Sequence, residues 1–425
     1  MTPYNVHTHI FTMNNAPEHF LNLYLPDFLA NAIGKITNTQ PGAWLVKKIL
    51  SFTGEAGKRY AGFLEIGKSR NQLEVFENLL RQYPNQDMKF VALTMYMEKC
   101  GAGESISGFE GQLEEILEVK RRYPDRLLIF MGVDPRWKNS GKELRDTVAA
   151  YFNKKIKINN QREVYPFAGL KMYPSTGFYP FDKNLKETFE WAAENGVPVL
   201  SHCYYKGGIY NNDESYLKYS INPRDPYNGQ LYDKPVYIQE KSWKWIIGQK
   251  AAQNNRKTCS YFLEPEAYRS LMSYFDQQDK PLKLCLAHFG GAEEMLRSYK
   301  LMKVDKGSHY DSKLEPYGIE RKNWFEQIRE MMKTFKGLYT DISYTVCNQD
   351  VHPVIFGELK DAQVGSKILY GTDYYMTEQE KTEKQIFEEF NKAAVKEAGL
   401  KPGINAWEQL STVNTAHFLS SKYYP

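Results

Sequence analysis

Short apolar runs of strand length alternate with longer amphipathic stretches from one end of the chain to the other. Eight runs rich in Val, Ile, Leu, Phe and Tyr read as strands: residues 4–9, 89–95, 127–133, 167–172, 197–202, 283–288, 338–342 and 367–372. Several are bounded by Gly or Pro, residues that punctuate strands. Between them, apolar positions recur at helical spacing over 71–82, 113–122, 185–194, 266–276, 293–302, 324–335, 380–397 and 407–419.

Strand–helix alternation repeated eight times implies parallel strands joined by crossovers, and eight such units can close into a barrel. The same alternation is compatible with an open, doubly wound sheet. The expectation is a (β/α)8 TIM barrel forming a single domain over residues 1–425, with long insertions after the first and fifth strands. Connections 10–66 and 203–262 far exceed the few residues usual in such units, and 290–322 adds a helix followed by a loop. All three leave the C-terminal ends of their strands, where barrel enzymes place their sites, and read as walls or a lid.

Composition narrows the class. At 425 residues, 42% of them hydrophobic, the chain can bury a large core. Its 55 basic and 51 acidic residues nearly cancel, which points away from a nucleic-acid partner. Lys154, Lys155 and Lys157 read as a solvated loop. Five scattered cysteines without a C-x-x-C pair argue against a disulfide framework and a structural zinc module, and suit a reducing cytoplasm. No basic region followed by an apolar stretch opens the chain, and no apolar run approaches the ~18 residues of a membrane span. The expected protein is cytoplasmic and independent of membranes. Its expected partner is a small-molecule substrate, and a homodimer is compatible with the sequence. The 31 tyrosines, among them Tyr204, Tyr205, Tyr210, Tyr216 and Tyr219, suit pocket walls and the packing of long loops equally well.

Candidate chemistry collects at strand ends. His7 and His9 close the first strand, and residues two apart on a strand share a face, so both imidazoles can serve one metal. The fifth strand ends at His202, the sixth at His288-Phe-Gly-Gly and the eighth at Gly-Thr-Asp373, while the fourth carries Gly-Leu-Lys171-Met-Tyr173. An ionisable group at the end of an apolar strand is costly to bury unless it is paired or binds an ion. A closed barrel brings such ends to a common centre; an open sheet spreads them along an edge. Taken singly, His202 or His288 fits a hydrogen-bonded core histidine, Asp373 a cap, and Lys171 an ion pair. Taken together they indicate a metal site.

In this order, H-x-H, Gly-x-Lys, His, Ala-His-Phe-Gly-Gly and Gly-Thr-Asp resemble the amidohydrolase superfamily, in particular the amidohydrolase-related branch that includes decarboxylases of carboxylated aromatics and lactone hydrolases. The resemblance runs from His7 to the closing Asn414-Thr-Ala-His-Phe-Leu. It implies that His7, His9 and Asp373 bind a divalent metal, Zn2+ with Mn2+ as the alternative, and that His202 completes or extends the site. It makes His288 a further ligand or a partner that polarises the substrate, and Asp373 also the catalytic acceptor of a proton from metal-bound water. Lys171 is either carboxylated and bridges two metals or binds a substrate carboxylate; the second use is preferred, with Tyr173 beside it. Asp341, at the end of the seventh strand, matches a recurrent family segment and is expected to orient a ligand histidine. Tyr374 and Tyr375 depart from the family, which more usually has a proline near that point.

Arg224, in the loop after the fifth strand, is a candidate grip for a substrate carboxylate or else a loop-stabilising salt bridge. His19, His309, His352 and His417 lack strand-end context. Gly103 and Gly108 have phosphate-loop spacing, but Phe109 stands where Lys is needed. Cys203 should face away from His202, against a Cys–His nucleophile. The expected activity is metal-dependent hydrolysis of an ester, lactone or amide bond of a small, carboxylated substrate by metal-bound hydroxide. The alternatives are a decarboxylase or hydratase on the same scaffold and a catalytically silent ligand-binding barrel.

Overall fold

The computed structural model describes residues 2–18, 69–84, 87–158, 162–204, 223–234, 260–299 and 322–425. Eight parallel strands form one sheet in chain order: β1 Tyr4–Thr8, β2 Lys89–Leu93, β3 Leu127–Val133, β4 Gly169–Met172, β5 Val199–Ser201, β6 Leu284–Leu286, β7 Leu338–Asp341 and β8 Ile368–Leu369. The ring closes between the last strand and the first. Val6 N–H donates to Tyr370 O and Asp373 N–H to His7 O, each at 2.9 Å, and Thr8 forms a parallel bridge with Tyr374. An open sheet has no such seam, so the alternation resolves into a (β/α)8 barrel.

Two apolar layers follow from strand alternation. One, including Phe90, Ile129, Leu170, Val199, Leu284 and Ile368, packs under the helices. The other fills the barrel with Val6, Val91, Phe130, Leu200, Cys285 and Leu369. Phe130 crosses so close to β4 that a Cβ on Gly169 would lie 2.4 Å from its ring, so only glycine fits there. Phe418 and Leu419 of the C-terminal helix Asn414–Leu419 join this inner cluster and plug the barrel.

The predicted helices recur with shifted ends, such as Gln72–Arg81, Gly108–Arg122, Lys186–Glu194, Arg269–Asp276 and Trp324–Thr334. Three among the described residues were not anticipated, one of them the single turn Ala362–Gly365. Gly141–Asn153 buries Leu144, Val148 and Phe152 on one face and starts where Ser140 accepts from Glu143 N–H, a capping signal present in the sequence. His352–Glu358 is only seven residues long, too short to show a period. An antiparallel pair, Ile156–Ile158 with Arg162–Val164, also lies outside the predicted pattern.

β5, β6 and β8 are shorter than expected and end before His202, His288 and Asp373. The predicted insertions fall largely in 19–68, 205–222 and 235–259, outside the described residues, as do His19 and His309. Among the described residues no helix is long and apolar enough to cross a membrane.

Candidate metal centre

β1 is irregular where it matters. Its ladder with β2 shifts register between Asn5 and Thr8, so Val6 joins the inner cluster and His7 also turns inward. His7, His9 and Asp373 bring their donor atoms within 4.8 Å of one another, and all three are buried. Asp373 Oδ1 lies 3.4 Å from His7 Nε2 and 3.3 Å from His9 Nε2.

Their neighbours fix the protons. His7 Nδ1 lies 2.9 Å from Asp341 Oδ2, a carboxylate that can only accept, so Nδ1 carries the hydrogen. His9 Nδ1 lies 3.3 Å from the Leu93 carbonyl, which assigns its hydrogen in the same way. Burial lowers the His7 pKa to about 4 and lowers that of His9, so both rings are neutral. Burial opposes ionisation of Asp373, but at the low pH where it titrates the protonated His7 and His9 rings hold its carboxyl well below the usual range, so it is ionised where both rings are neutral. Two Nε2 lone pairs and a carboxylate oxygen thus face one another, and His7 Nε2 has no hydrogen-bond partner. Such an acceptor set, two imidazoles and a carboxylate with no proton between them, fits a divalent cation.

The backbone around the trio is held in sparsely populated conformations. His288 (φ 71°), Phe289 (φ 46°), Tyr344 (φ 59°) and Asp373 (φ 68°) are the non-glycine residues with positive φ among those described. All four follow β6, β7 or β8, where each costs about 1–3 kcal/mol and persists only under constraint from its surroundings. Gly371 permits the approach of β8, since a Cβ there would sit 2.8 Å from His7 Cβ.

A chain of polar contacts extends from the trio. Asp341 Oδ1 accepts from His288 N–H at 3.1 Å and Ser343 N–H at 3.0 Å, and also from Ser343 Oγ. His288 Nδ1 donates to Ser343 O at 2.9 Å, so its Nε2 accepts from His202 Nδ1 at 3.1 Å. His202 therefore stands one ring beyond the trio, bonded to His288, and His288 lies beside His7 with ring centroids 5.1 Å apart. Lys171 is 1% exposed, and its Nζ has no hydrogen-bond partner. Burial lowers its pKa to about 8 against the opposing pull of Asp373 and Asp341. The Tyr173 ring lies 5.9 Å from Lys171 Nζ and 4.9 Å from the His202 ring. Arg224 is exposed and donates to Gly229 O within its own turn; its described contacts do not reach the trio. Cys203 donates to Leu263 O, and His352 to Val346 O.

Several residues escaped the sequence reading. Ser343 bridges His7 and His288, and only its place two residues after Asp341 could have drawn attention to it. Arg136 and Asp134, just beyond β3, form a buried ion pair at 2.6 Å, and Arg136 also donates to Thr176 O at 3.2 Å. That pair ties the β3 loop to the β4 loop and follows the same strand-end pattern. Asn5, Thr372 and Glu383 form a third group behind the trio.

Glu383 is wholly buried, and burial pushes its carboxyl up to about 7 from the ordinary 4.5. The folded protein therefore holds an extra proton between those values. The stability gained is complete below about pH 4.5 and is lost as pH rises through about 7, a swing of ~3 kcal/mol. Urea unfolding across this window is expected to show Glu383→Gln flattening the decline relative to wild type. Parallel profiles for the two proteins would remove Glu383 as its source.

A closed parallel barrel with a His–His–Asp acceptor trio at its strand ends defines the class as a metal-dependent barrel enzyme. The amidohydrolase family model matches residues 101–401, and the chain belongs to that family. His7 and His9 precede the matched stretch, so they enter the site through the fold. No curated protein matches the chain. Among solved structures it is similar to 5-carboxyvanillate decarboxylase from Novosphingobium aromaticivorans complexed with manganese, at 11% identity and TM-score 0.50, covering 98% of this chain and 96% of that one. It is also similar to an uncharacterized TIM-barrel protein from Bordetella bronchiseptica (12% identity, TM-score 0.49, 99% and 98% covered). A third is an amidohydrolase from Burkholderia multivorans with bound zinc (10%, 0.49, 99% and 100%). At 11% identity the first speaks to the fold alone, and the other two carry no argument.

Proposed function

We propose that the protein is a metal-dependent hydrolase that cleaves an ester, lactone or amide bond in a small, carboxylate-bearing substrate. The observation that carries the reading is the convergence of His7 Nε2 and His9 Nε2 on Asp373 Oδ1, at 3.4 and 3.3 Å. His7, His9 and Asp373 would hold the ion, with zinc suited to this nitrogen–oxygen donor set and manganese as the alternative. A divalent ion there supplies Lewis acidity, acidifying water and polarising a carbonyl oxygen.

The chain's own groups do the rest. Asp373 stays ionised at neutral pH, so its carboxylate accepts the proton released as water attacks and returns it to the leaving group. His288, its Nδ1 hydrogen held by Ser343 O and its ring beside His7, would polarise the substrate. Lys171 Nζ, buried and without a hydrogen-bond partner, is a point charge suited to a substrate carboxylate. Tyr173 supplies an aromatic wall beside it.

The test compares zinc-loaded, manganese-loaded and chelator-stripped protein on matched esters, lactones and amides with and without a carboxylate, scoring bond cleavage and CO2 release. Hydrolysis lost on stripping, restored by metal and favouring the carboxylated member is expected. Metal-dependent CO2 release without hydrolysis would replace the hydrolase by a lyase, and turnover indifferent to metal would remove the mechanism.

A further inference from the structure

Asn5, Thr372, Tyr83 and Glu383 form a buried polar cluster on the helix-facing side of the barrel wall, directly behind the trio. Asn5 precedes His7 by two residues on β1, and Thr372 immediately precedes Asp373. Glu383 opens the helix Glu383–Ala394, whose start is locked by a capping box between Thr382 and Gln385. The seam these residues straddle is short, because β8 keeps strand geometry for only two residues, Ile368–Leu369.

One oxygen orders the group. Glu383 Oε1 accepts from Asn5 Nδ2 at 3.0 Å, Thr372 Oγ1 at 2.8 Å and the Tyr83 hydroxyl at 2.6 Å. With its hydrogen given to Glu383, Thr372 Oγ1 accepts from Asn5 Nδ2 at 2.7 Å and Tyr374 N–H at 3.3 Å. With both amide hydrogens engaged, Asn5 must turn its Oδ1 to the backbone, where it accepts from His7 N–H and Thr372 N–H, each at 3.2 Å. A single carboxyl oxygen thereby sets the amide orientation that joins the His7 strand to the Asp373 strand.

We propose that Glu383 is a positioning residue for the metal centre, fixing the spacing of His7 from Asp373 through Asn5 and Thr372. The inference rests on the metal reading above and goes beyond it, since Glu383 touches none of the three donors. It needs an acceptor at Oε1 and not a charge, so glutamine can replace glutamate while alanine cannot. Without the acceptor, Asn5 is free to flip, and a flipped amide presents its donors to the N–H groups of His7 and Thr372. The strands then part at the one seam where two of the donors stand on opposite sides.

The test measures zinc affinity by competition with a chromogenic chelator, and the visible spectrum of the Co2+ form, for wild type, Glu383→Ala, Glu383→Gln, Thr372→Val and Tyr83→Phe. Outer hydrogen-bond partners of metal ligands typically affect affinity by about 10–100-fold. Glu383→Ala and Thr372→Val are expected to weaken zinc by that amount and to shift the Co2+ bands, while Glu383→Gln stays close to wild type. Tyr83→Phe removes a bond to the same oxygen without crossing the seam, so it should lower the urea midpoint and leave affinity and spectrum in place. Wild-type affinity in Glu383→Ala or Thr372→Val, or an equal loss in Tyr83→Phe, overturns the positioning role and leaves the metal centre standing. If Glu383→Ala does not fold, the nearly isosteric Thr372→Val decides. A wild-type protein that binds neither ion overturns the metal reading itself, and this inference with it.

Discussion

Replacing His7 and His9 together by alanine is expected to abolish stoichiometric zinc or manganese binding and to lower turnover at least about a thousandfold. Both rings are neutral, and both carry their hydrogen on Nδ1, where Asp341 and the Leu93 carbonyl hold it. Each therefore contributes an Nε2 lone pair, and alanine removes two of the three donors at once. Asp373 alone is a weak ligand for a borderline ion. Lewis-acid assistance is worth several kcal/mol, and each 1.36 kcal/mol is a tenfold change in rate, which gives the thousandfold estimate. The variant should still fold, because the barrel core lies in the apolar layers and Asp373 N–H keeps its bond to the backbone carbonyl of residue 7. Metal analysis beside urea unfolding checks this, and equal metal content in variant and wild type would refute the centre.

Asp341 is expected to matter nearly as much, in two separable ways. Its carboxylate accepts from His7 Nδ1, His288 N–H, Ser343 N–H and Ser343 Oγ, and it is fully buried. Burial alone would raise its pKa, yet His7 beside it holds the carboxyl well below the usual range. Asp341→Ala strands these donors away from water, and such truncations cost about 3–5 kcal/mol. Asp341→Asn keeps the shape and can keep Oδ1 on the two backbone N–H groups. Its NH2 must then face His7 Nδ1, which forces that hydrogen onto Nε2 and into the space the cation would occupy. The asparagine variant should therefore keep most of its stability while losing zinc affinity by about 10–100-fold. Urea midpoints and zinc competition separate the two effects, and an asparagine variant that binds zinc like wild type would show that the His7 tautomer is not set by Asp341.

The four positive-φ residues tell a related story of local cost. His288, Phe289, Tyr344 and Asp373 sit where β6, β7 and β8 release their chains, and for Phe289 and Tyr344 no residue-type preference announces it. Phe and Tyr are poor choices for that conformation, so sequence reading expects straight strands to His288 and Thr372. The structure instead breaks the ladders early and turns the side chains over the barrel rim.

Much of this protein was legible in its chain because the relevant information is local and periodic. A strand repeats every two residues and a helix about every 3.6, so the order of strands and helices, the shared face of His7 and His9, and the strand-end placement of His202, His288, Lys171 and Asp373 followed from spacing alone. Closure was foreseeable only as a way to give those polar ends common company. The tertiary structure decided everything that depends on contacts between distant segments. It chose the trio of His7, His9 and Asp373, set His202 one ring away behind His288, and kept Arg224 in its own turn. It also recruited Glu383, which in the sequence is simply an acidic residue in a helix's first turn, a common place for one. The physical reason is reach: hydrogen bonds and coordination act over about 3 Å, and which atoms come that close across hundreds of residues is fixed only when the ring shuts.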